Sequence, residues 1–223
     1  MRRWTVGLLA TAPLWAAVAD AQPPRAAVPA TALPPPRFGH TLDIGLVSGV
    51  VIVTPPGKKP FKLGVQDRNI PIGSLLDTTD GRIDLRAAPP AGSATGTATT
   101  AKVEDAEFYR GKFTVRQPAG AGVTQVLLAG GNRSVCSHGA KPPAQRRTLP
   151  HRTLRLLGAS GTGRFQTRGR YAAATVRGTI WTTTDFCDGT LVSVQRDVVS
   201  VRDFVRHTTV TVTAGHSYFA KAP

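Results

Sequence analysis

Apolar and polar residues alternate along most of the final third of the chain. Val192 and Val194 take one phase while Leu191, Ser193 and Gln195 take the other. Val199 and Val201 alternate with Ser200 and Arg202, and Val210 and Val212 with Thr209, Thr211 and Thr213. Successive side chains of a strand point to opposite faces, so period-two runs rich in Val and Thr predict half-buried strands. Asp188-Gly189 stands between two such runs. That dipeptide predicts a tight type I′ hairpin, whose central residues need positive φ.

The same pattern extends upstream. Residues 47–53, 62–65 and 70–76 read as extended segments, and Asp80-Gly81 as a second hairpin, leading into residues 82–86 with Ile83 and Leu85 inward. Phe108, Phe113 and Val115 fall on strands around Arg110-Gly111, and residues 123–128 and 153–157 are further strands. No helical period of useful length interrupts them. The pattern predicts an all-β fold, an antiparallel sandwich or rolled sheet of many short strands.

The first residues obey a different rule. Arg2 and Arg3 precede an apolar stretch over residues 4–18, and Ala19-Asp20-Ala21 has the small-x-small form of a cleavage site. This predicts a signal peptide over residues 1–21. The alternative, an uncleaved membrane anchor, meets an apolar core short for about 30 Å of hydrocarbon. Pro and Ala dominate residues 22–41, which predicts an extended linker there. An all-β domain then occupies residues 42–220, with loop insertions near 87–101 and 130–152, and no later stretch is apolar enough to span a membrane.

Export changes the meaning of the cysteines. Cys136 and Cys187 are the only two. An oxidising compartment favours pairing them, against the alternative of two buried thiols. The bridge would tie the loop near 130–152 to the hairpin before Gly189. Charge adds a second bound. The chain carries +15, and removing Arg2, Arg3 and Asp20 with the signal leaves +14. Such a surface attracts polyanions. Outside the cell these are envelope polymers, anionic headgroups or acidic polysaccharide, and no nucleic acid is expected. A merely solvated basic surface is the plain alternative.

Candidate chemistry is sparse. Gly158-Ala159-Ser160-Gly161-Thr162-Gly163-Arg164-Phe165 resembles a phosphate-binding loop but lacks its Lys and Ser/Thr, so it reads as a Gly-rich hairpin loop. Cys136 lies near His138, yet without the order and spacing of an activated thiol and its base. His40, His138, His151, His207 and His216 are scattered, so no metal site is expected. Asp185 and Asp188 flank Cys187 and could form a carboxylate pair, although turn chemistry accounts for Asp188. No catalytic constellation and no cofactor are expected.

The most credible binding feature is basic. Lys112, Arg116, Arg155, Arg164, Arg168, Arg196 and Arg202 all take the polar phase of expected strands. Sharing one sheet face, they would make a cationic platform near Tyr171 or Trp181, suited to carboxylate or phosphate because Arg forks match both.

Several segments together resemble the FecR-type extracytoplasmic β domain. They are Gly49-Val50-Val51-Ile52-Val53 with its Pro-Gly turn, Ile72-Gly73-Ser74-Leu75, and Thr79-Asp80-Gly81-Arg82-Ile83-Asp84-Leu85. Phe108-Tyr109-Arg110-Gly111-Lys112-Phe113 comes next, then Val176-Arg177-Gly178-Thr179 and Asp188-Gly189-Thr190. The block from Phe165 to Thr179 with its late cysteine is also similar to a group of exported FecR-domain proteins. Regulators of that family relay a surface signal to an anti-sigma segment inside the cell. This sequence shows neither a cytoplasmic segment nor an internal transmembrane helix, so the resemblance implies envelope binding or scaffolding. The expectation is a secreted or periplasmic, non-catalytic module whose partner is an anionic envelope polymer or a surface protein. Membership of a surface signalling assembly is the first alternative, and a wall hydrolase using Cys136 or Asp185 the second.

Overall fold

A computed structural model describes residues 33–89, 102–136 and 151–223. The expected signal peptide, most of the linker and His138 lie outside these residues, as do residues 90–101 and 137–150 of the two loop insertions. The described residues form β1 (Thr41–Thr54), β2 (Phe61–Lys62), β3 (Arg68–Pro71), β4 (Leu75–Ala87), β5 (Glu104–Tyr109), β6 (Lys112–Arg116) and β7 (Thr124–Ala129). A short 3-10 turn at Arg133–Cys136 comes after β7. Then come β8 (Thr153–Arg168), β9 (Ala172–Phe186), β10 (Gly189–Arg196), β11 (Val198–Asp203), β12 (Thr209–Thr213) and β13 (Ser217–Lys221). All thirteen join one sheet, and among the described residues no helix is long and apolar enough to cross a membrane.

The register shows that many of these strands are halves of longer ones. β5 and β6 pair in the same antiparallel sense with β4, from Ala87↔Glu104 to Leu75↔Thr114, and part only at Arg110-Gly111. There Thr78 N–H donates to Gly111 O and Arg110 N–H to Thr78 O, both at 2.8 Å, while Arg110 adopts φ 65°. β10 and β11 likewise run along β9, broken at Asp197 (φ 59°). β12 and β13 run along β11 and β10, broken at Gly215 (φ 79°). β8 and β9 shift register between Gly161 and Arg164, opposite Gly178 (φ 75°). The breaks of neighbouring strands thus lie side by side. Extra residues and positive φ bend strands and sharpen twist, which lets one sheet fold over a corner. The expected all-β rolled sheet of many strands is present, and several of the short strands run on from one another across kinks.

Closure comes from two routes between β4 and β8. One runs through β5 and the other through β6 and β7, so β4, β5, β8, β7 and β6 form a ring. Inside it Phe108 packs on Phe113 and Phe165, with ring centroids 5.1 and 5.7 Å apart. Leu76, Ile83, Leu85, Val115, Val126 and Leu157 fill the space around them, all buried. The β7–β8 pair is parallel, which departs from the expected antiparallel pairing throughout. Parallel neighbours need a crossover of a dozen residues or more, and residues 130–152 supply it.

The β8–β9 hairpin curls until its tip meets its own base. Arg170 N–H donates to both Asp185 oxygens (3.0 and 3.1 Å), and Tyr171 N–H to Thr190 Oγ1 (3.0 Å). Within the curl Thr167 Oγ1 lies 2.7 Å from Thr183 Oγ1 and accepts from Trp181 Nε1 at 2.9 Å. Thr167 pairs in register with Ala174, and Thr183 with Leu157, so their contact crosses the interior.

Three turn expectations need correction. Asp80-Gly81 lies inside β4, where Gly81 faces Gly49. A Cβ on Gly81 would stand 2.6 Å from Val50 O, so glycine here admits a neighbouring backbone instead of making a turn. Residues 158–163 lie inside β8, where Gly158 takes the ring of Tyr109 and Gly161 the backbone of β5 against the chain. The β9–β10 turn is centred on Cys187 and Asp188, while Gly189 pairs with Phe186 beneath the Phe219 ring. The cysteine pairing is as expected. Cys136 and Cys187 form a disulfide, with S–S 2.03 Å, linking the 3-10 turn to the β9–β10 turn.

Candidate binding face

The seven basic residues separate into three kinds. Arg155 is not on an outward face: its side chain is 18% exposed, its Nε donates to buried Asp185 at 2.7 Å and its Nη1 to Leu128 O at 2.7 Å. The curl of the hairpin folds that end of β8 inward, which alternation alone does not reveal. Lys112, Arg164 and Arg196 are engaged by carboxylates of Asp77 (2.6 Å), Glu104 (2.9 Å) and Asp197 (3.4 Å). Burial pushes the Asp77 carboxyl up, but hydrogen bonds from Lys112 and Thr79 outweigh it and hold its pKa below the ordinary value. Arg196 sits at the β10–β11 break, where its carbonyl accepts from Thr179 Oγ1. Arg116, Arg168 and Arg202 are exposed and, among the described residues, have no carboxylate partner.

Those three share one outer face. In register, Arg116 of β6 stands beside Gln125, Gln125 beside Gln166, Gln166 beside Thr175, Thr175 beside Ser200, and Ser200 beside Thr211. Gln125 Nε2 donates to Gln166 Oε1 at 3.1 Å and Gln166 Nε2 to Thr175 Oγ1 at 2.9 Å, so the row is tied laterally. One step along the strands, Arg168, Ala173, Arg202 and Thr209 form a second row. The result is a polar strip six strands wide, about 25 Å by strand spacing, carrying unpaired guanidinium groups. The Gln and Thr members were legible as polar-phase residues, but only the register aligns them.

Neither aromatic expected near this platform presents a ring to it. Trp181 is fully buried and Tyr171 nearly so, because both take the inner phase. Phe204, just past β11, takes that place instead: the Arg168 guanidinium stacks over its ring at 4.4 Å.

No family model, curated protein or solved structure matches this chain. The FecR-type resemblance therefore rests on its motif residues alone.

The charge is unevenly placed. Asp67, Asp84, Asp105 and Glu107 gather with Arg82 and Arg86 on the outside of β1, β4 and β5. Burial, then repulsion from Asp105, Asp67 and Glu107, lifts the Asp84 carboxyl above its ordinary range despite the attraction of Arg86. Acid is thus concentrated away from Arg116, Arg168 and Arg202, which deepens the positive character of their face.

The other candidates resolve into structural roles. Asp185 accepts from Arg155, Arg170 N–H and Thr190 Oγ1 (2.5 Å), and so clasps the hairpin. His151 Nδ1 lies 3.0 and 3.1 Å from the Asp188 oxygens and its ring stacks on Phe186. Among the described residues no three of His, Cys, Asp and Glu come together as metal ligands. Cys136 is held in the disulfide.

Proposed function

We propose that the protein is an exported, FecR-like, non-catalytic module of the cell envelope whose arginine-bearing face binds an anionic envelope polymer. One observation carries the reading: Arg116, Arg168 and Arg202 stand on a laterally hydrogen-bonded polar strip, without carboxylate partners among the described residues, on a chain of net charge +15. An outward-facing strip with spaced cations suits an extended polyanion better than a small molecule, which needs a concave site. The disulfide fits an oxidising compartment.

The test is retention of the chain, without its first 21 residues, on isolated envelope material. Retention should fall several-fold between about 0.1 M and about 1 M salt, as the screening length shrinks from about 10 Å to about 3 Å. Replacing Arg116, Arg168 and Arg202 together by Gln should reproduce the high-salt result at low salt. Retention indifferent to both changes would sink the proposal.

A protein partner is the second reading, favoured by exposed Val47 and Val50 on β1 and by Val65 before β3, at 89% exposure. It belongs to a surface assembly, signalling included. Its mark is capture of one defined partner that survives high salt and is lost when Val47 and Val65 become Ser.

A further inference from the structure

We infer that the outer edge of β12 pairs antiparallel with β12 of a second copy of this chain, about a two-fold axis at Thr211. The pairing is argued from the edge itself. Its consequence, a basic strip that runs on through both copies, rests on the binding-face reading above.

The path of strands through the sheet has two ends, and only one of them is guarded. Beside β1, β2 has two residues and β3 has four, with Pro60, Lys62, Arg68 and Pro71 on or next to them. Short strands, proline and charge are what natural sheets use to turn away another strand. At the other end β12 reads Thr209-Val210-Thr211-Val212-Thr213, without proline or charge. It pairs with β11 alone among the described residues, in unbroken register. Val and Thr favour strands, so nothing in β12 itself opposes a further neighbour.

The register tells which backbone groups face that edge. Asp203 N–H donates to Thr208 O at 2.9 Å, and this pair continues the register of Arg202 with Thr209. Bonded and non-bonded pairs alternate along an antiparallel ladder, so Val210 and Val212 bond to β11 while Thr209, Thr211 and Thr213 do not. On the far side of β11, Phe204 N–H donates to Tyr171 O at 2.9 Å, which gives the same phase. The N–H and C=O groups of the three threonines therefore point away from the sheet. Among them only the Thr213 carbonyl meets a donor in the described residues, His216 N–H at 3.1 Å, and it keeps a second lone pair.

This edge is complementary to itself. An axis at Thr211 sets Thr211 against its own copy and Thr209 against Thr213 of the second copy. Every such pair joins residues whose backbone groups face outward, as a bonded antiparallel pair requires. Threonine also faces threonine on the outer side, a favourable cross-strand pair, and Arg202 lies one strand further in. Ser200 and Thr211 end the polar row that begins at Arg116, so pairing joins the two rows end to end. A polyanion held by one copy then meets the arginines of the other at high local concentration.

The experiment follows the chain used for the retention test by sedimentation equilibrium, from micromolar to millimolar concentration. A monomer–dimer equilibrium should appear, weak because one short edge is a small interface. Thr211→Lys places like charges on the axis and should weaken the dimer at least tenfold. Thr211→Pro should do the same, since it removes a donor that β11 does not use. An unchanged urea midpoint for either variant certifies its fold. Val65→Lys, an equal charge near the guarded end, should leave the dimer as it is. Register is read by cross-linking: the Cα atoms of a bonded pair are about 5.5 Å apart, within reach of a disulfide. Thr211→Cys should join two copies under mild oxidation, whereas Thr209→Cys, which faces Thr213 of the second copy, should not.

A chain that stays monomeric to millimolar concentration overturns the pairing and leaves the edge to an extended segment of another protein. Cross-linking at residue 209 as readily as at residue 211 also overturns it. Salt separates this inference from the polymer reading, because screening two basic copies should tighten the dimer while it weakens envelope retention. A dimer that salt dissociates is held by charge and not by the edge, which sinks the inference. If no dimer forms while retention stays salt-sensitive, the strip acts in single copies. If copies join at Thr211 while retention ignores salt, the pairing stands and the polymer reading falls.

Discussion

At the scale of single residues, buried charge decides more than exposed charge. Asp185 is 1% exposed and accepts hydrogen bonds from Arg155 Nε, Arg170 N–H and Thr190 Oγ1. Asp185→Ala leaves the partly buried Arg155 without its counter-ion and two further donors without their acceptor, a loss of about 3 kcal/mol, the low end for a broken buried pair. Urea unfolding should show that loss, and a change under about 1 kcal/mol would mean that the clasp is ornamental. Asp203 and Tyr218 add a dependence on pH. Burial pushes the Asp203 carboxyl up, but Arg206 N–H, the Tyr218 hydroxyl and Val205 N–H more than offset it and hold its pKa below 3.8. Burial, then the Asp203 charge, raises Tyr218 above 10.0. In acid the unfolded chain binds the extra proton, so this contribution is complete above 3.8 and lost as pH falls through the folded value. For Tyr218 it is complete below 10.0 and lost as pH rises through the raised value. Tyr218→Phe should cost about 2 kcal/mol at neutral pH and flatten both limbs of the urea-midpoint profile. Arg155 and Asp185 were visible in the sequence as charges, but their meeting depends on a curl that brings residue 170 to residue 185, which no local pattern encodes.

Elements were legible as strands and not as kinked strands. Alternation at Val192, Val194, Val199 and Val201 placed the right side chains inside, because period two survives within each half. The breaks escape a reading in which every such glycine makes a turn. Asp80-Gly81 has the composition of a hairpin, yet Gly81 and Gly49 are small because two backbones pass closely. Composition cannot separate a glycine that turns from one that yields space, since both need only the missing Cβ. A matched pair of substitutions can. Gly49 and Gly120 have nearly equal φ, 73° and 76°, but a Cβ on Gly49 strikes the Asp80 carbonyl whereas one on Gly120 meets nothing within 4 Å. Gly120→Ala should cost about 1 kcal/mol for the left-handed backbone alone. Gly49→Ala should exceed it by about 2 kcal/mol or more, as overpacking is added to strain. Equal losses by thermal unfolding would refute close approach as the reason for glycine at the corner.

For the molecule as a whole, the decisive connection is the crossover from β7 to β8. It converts two antiparallel ribbons into a ring by placing β7 parallel to β8, in a register such as Thr124↔Phe165 that spans distant parts of the sequence. Closing a long loop before its contacts form slows folding and weakens the closed state against the open chain. The disulfide acts on this connection, because Cys136 lies on the 3-10 turn that follows β7 and Cys187 caps the hairpin of β9 and β10. Its cysteines are 51 residues apart, which in the chain-entropy account corresponds to about 4 kcal/mol at 25 °C. Cys136→Ser with Cys187→Ser should therefore lower the unfolding free energy by about that amount, with the urea slope rising as the uncrosslinked denatured chain exposes more surface. The strand signal in circular dichroism should persist without denaturant, since the Phe108, Phe113 and Phe165 core and the Asp185 clasp do not involve sulfur. Refolding of the variant should be slower than that of the oxidised chain, because the crossover must then close from a free search. If the midpoint stays where it is, the Cys187 N–H to Arg152 O bond and the His151–Asp188 contact already fix the crossover, and the cross-link is redundant to the fold.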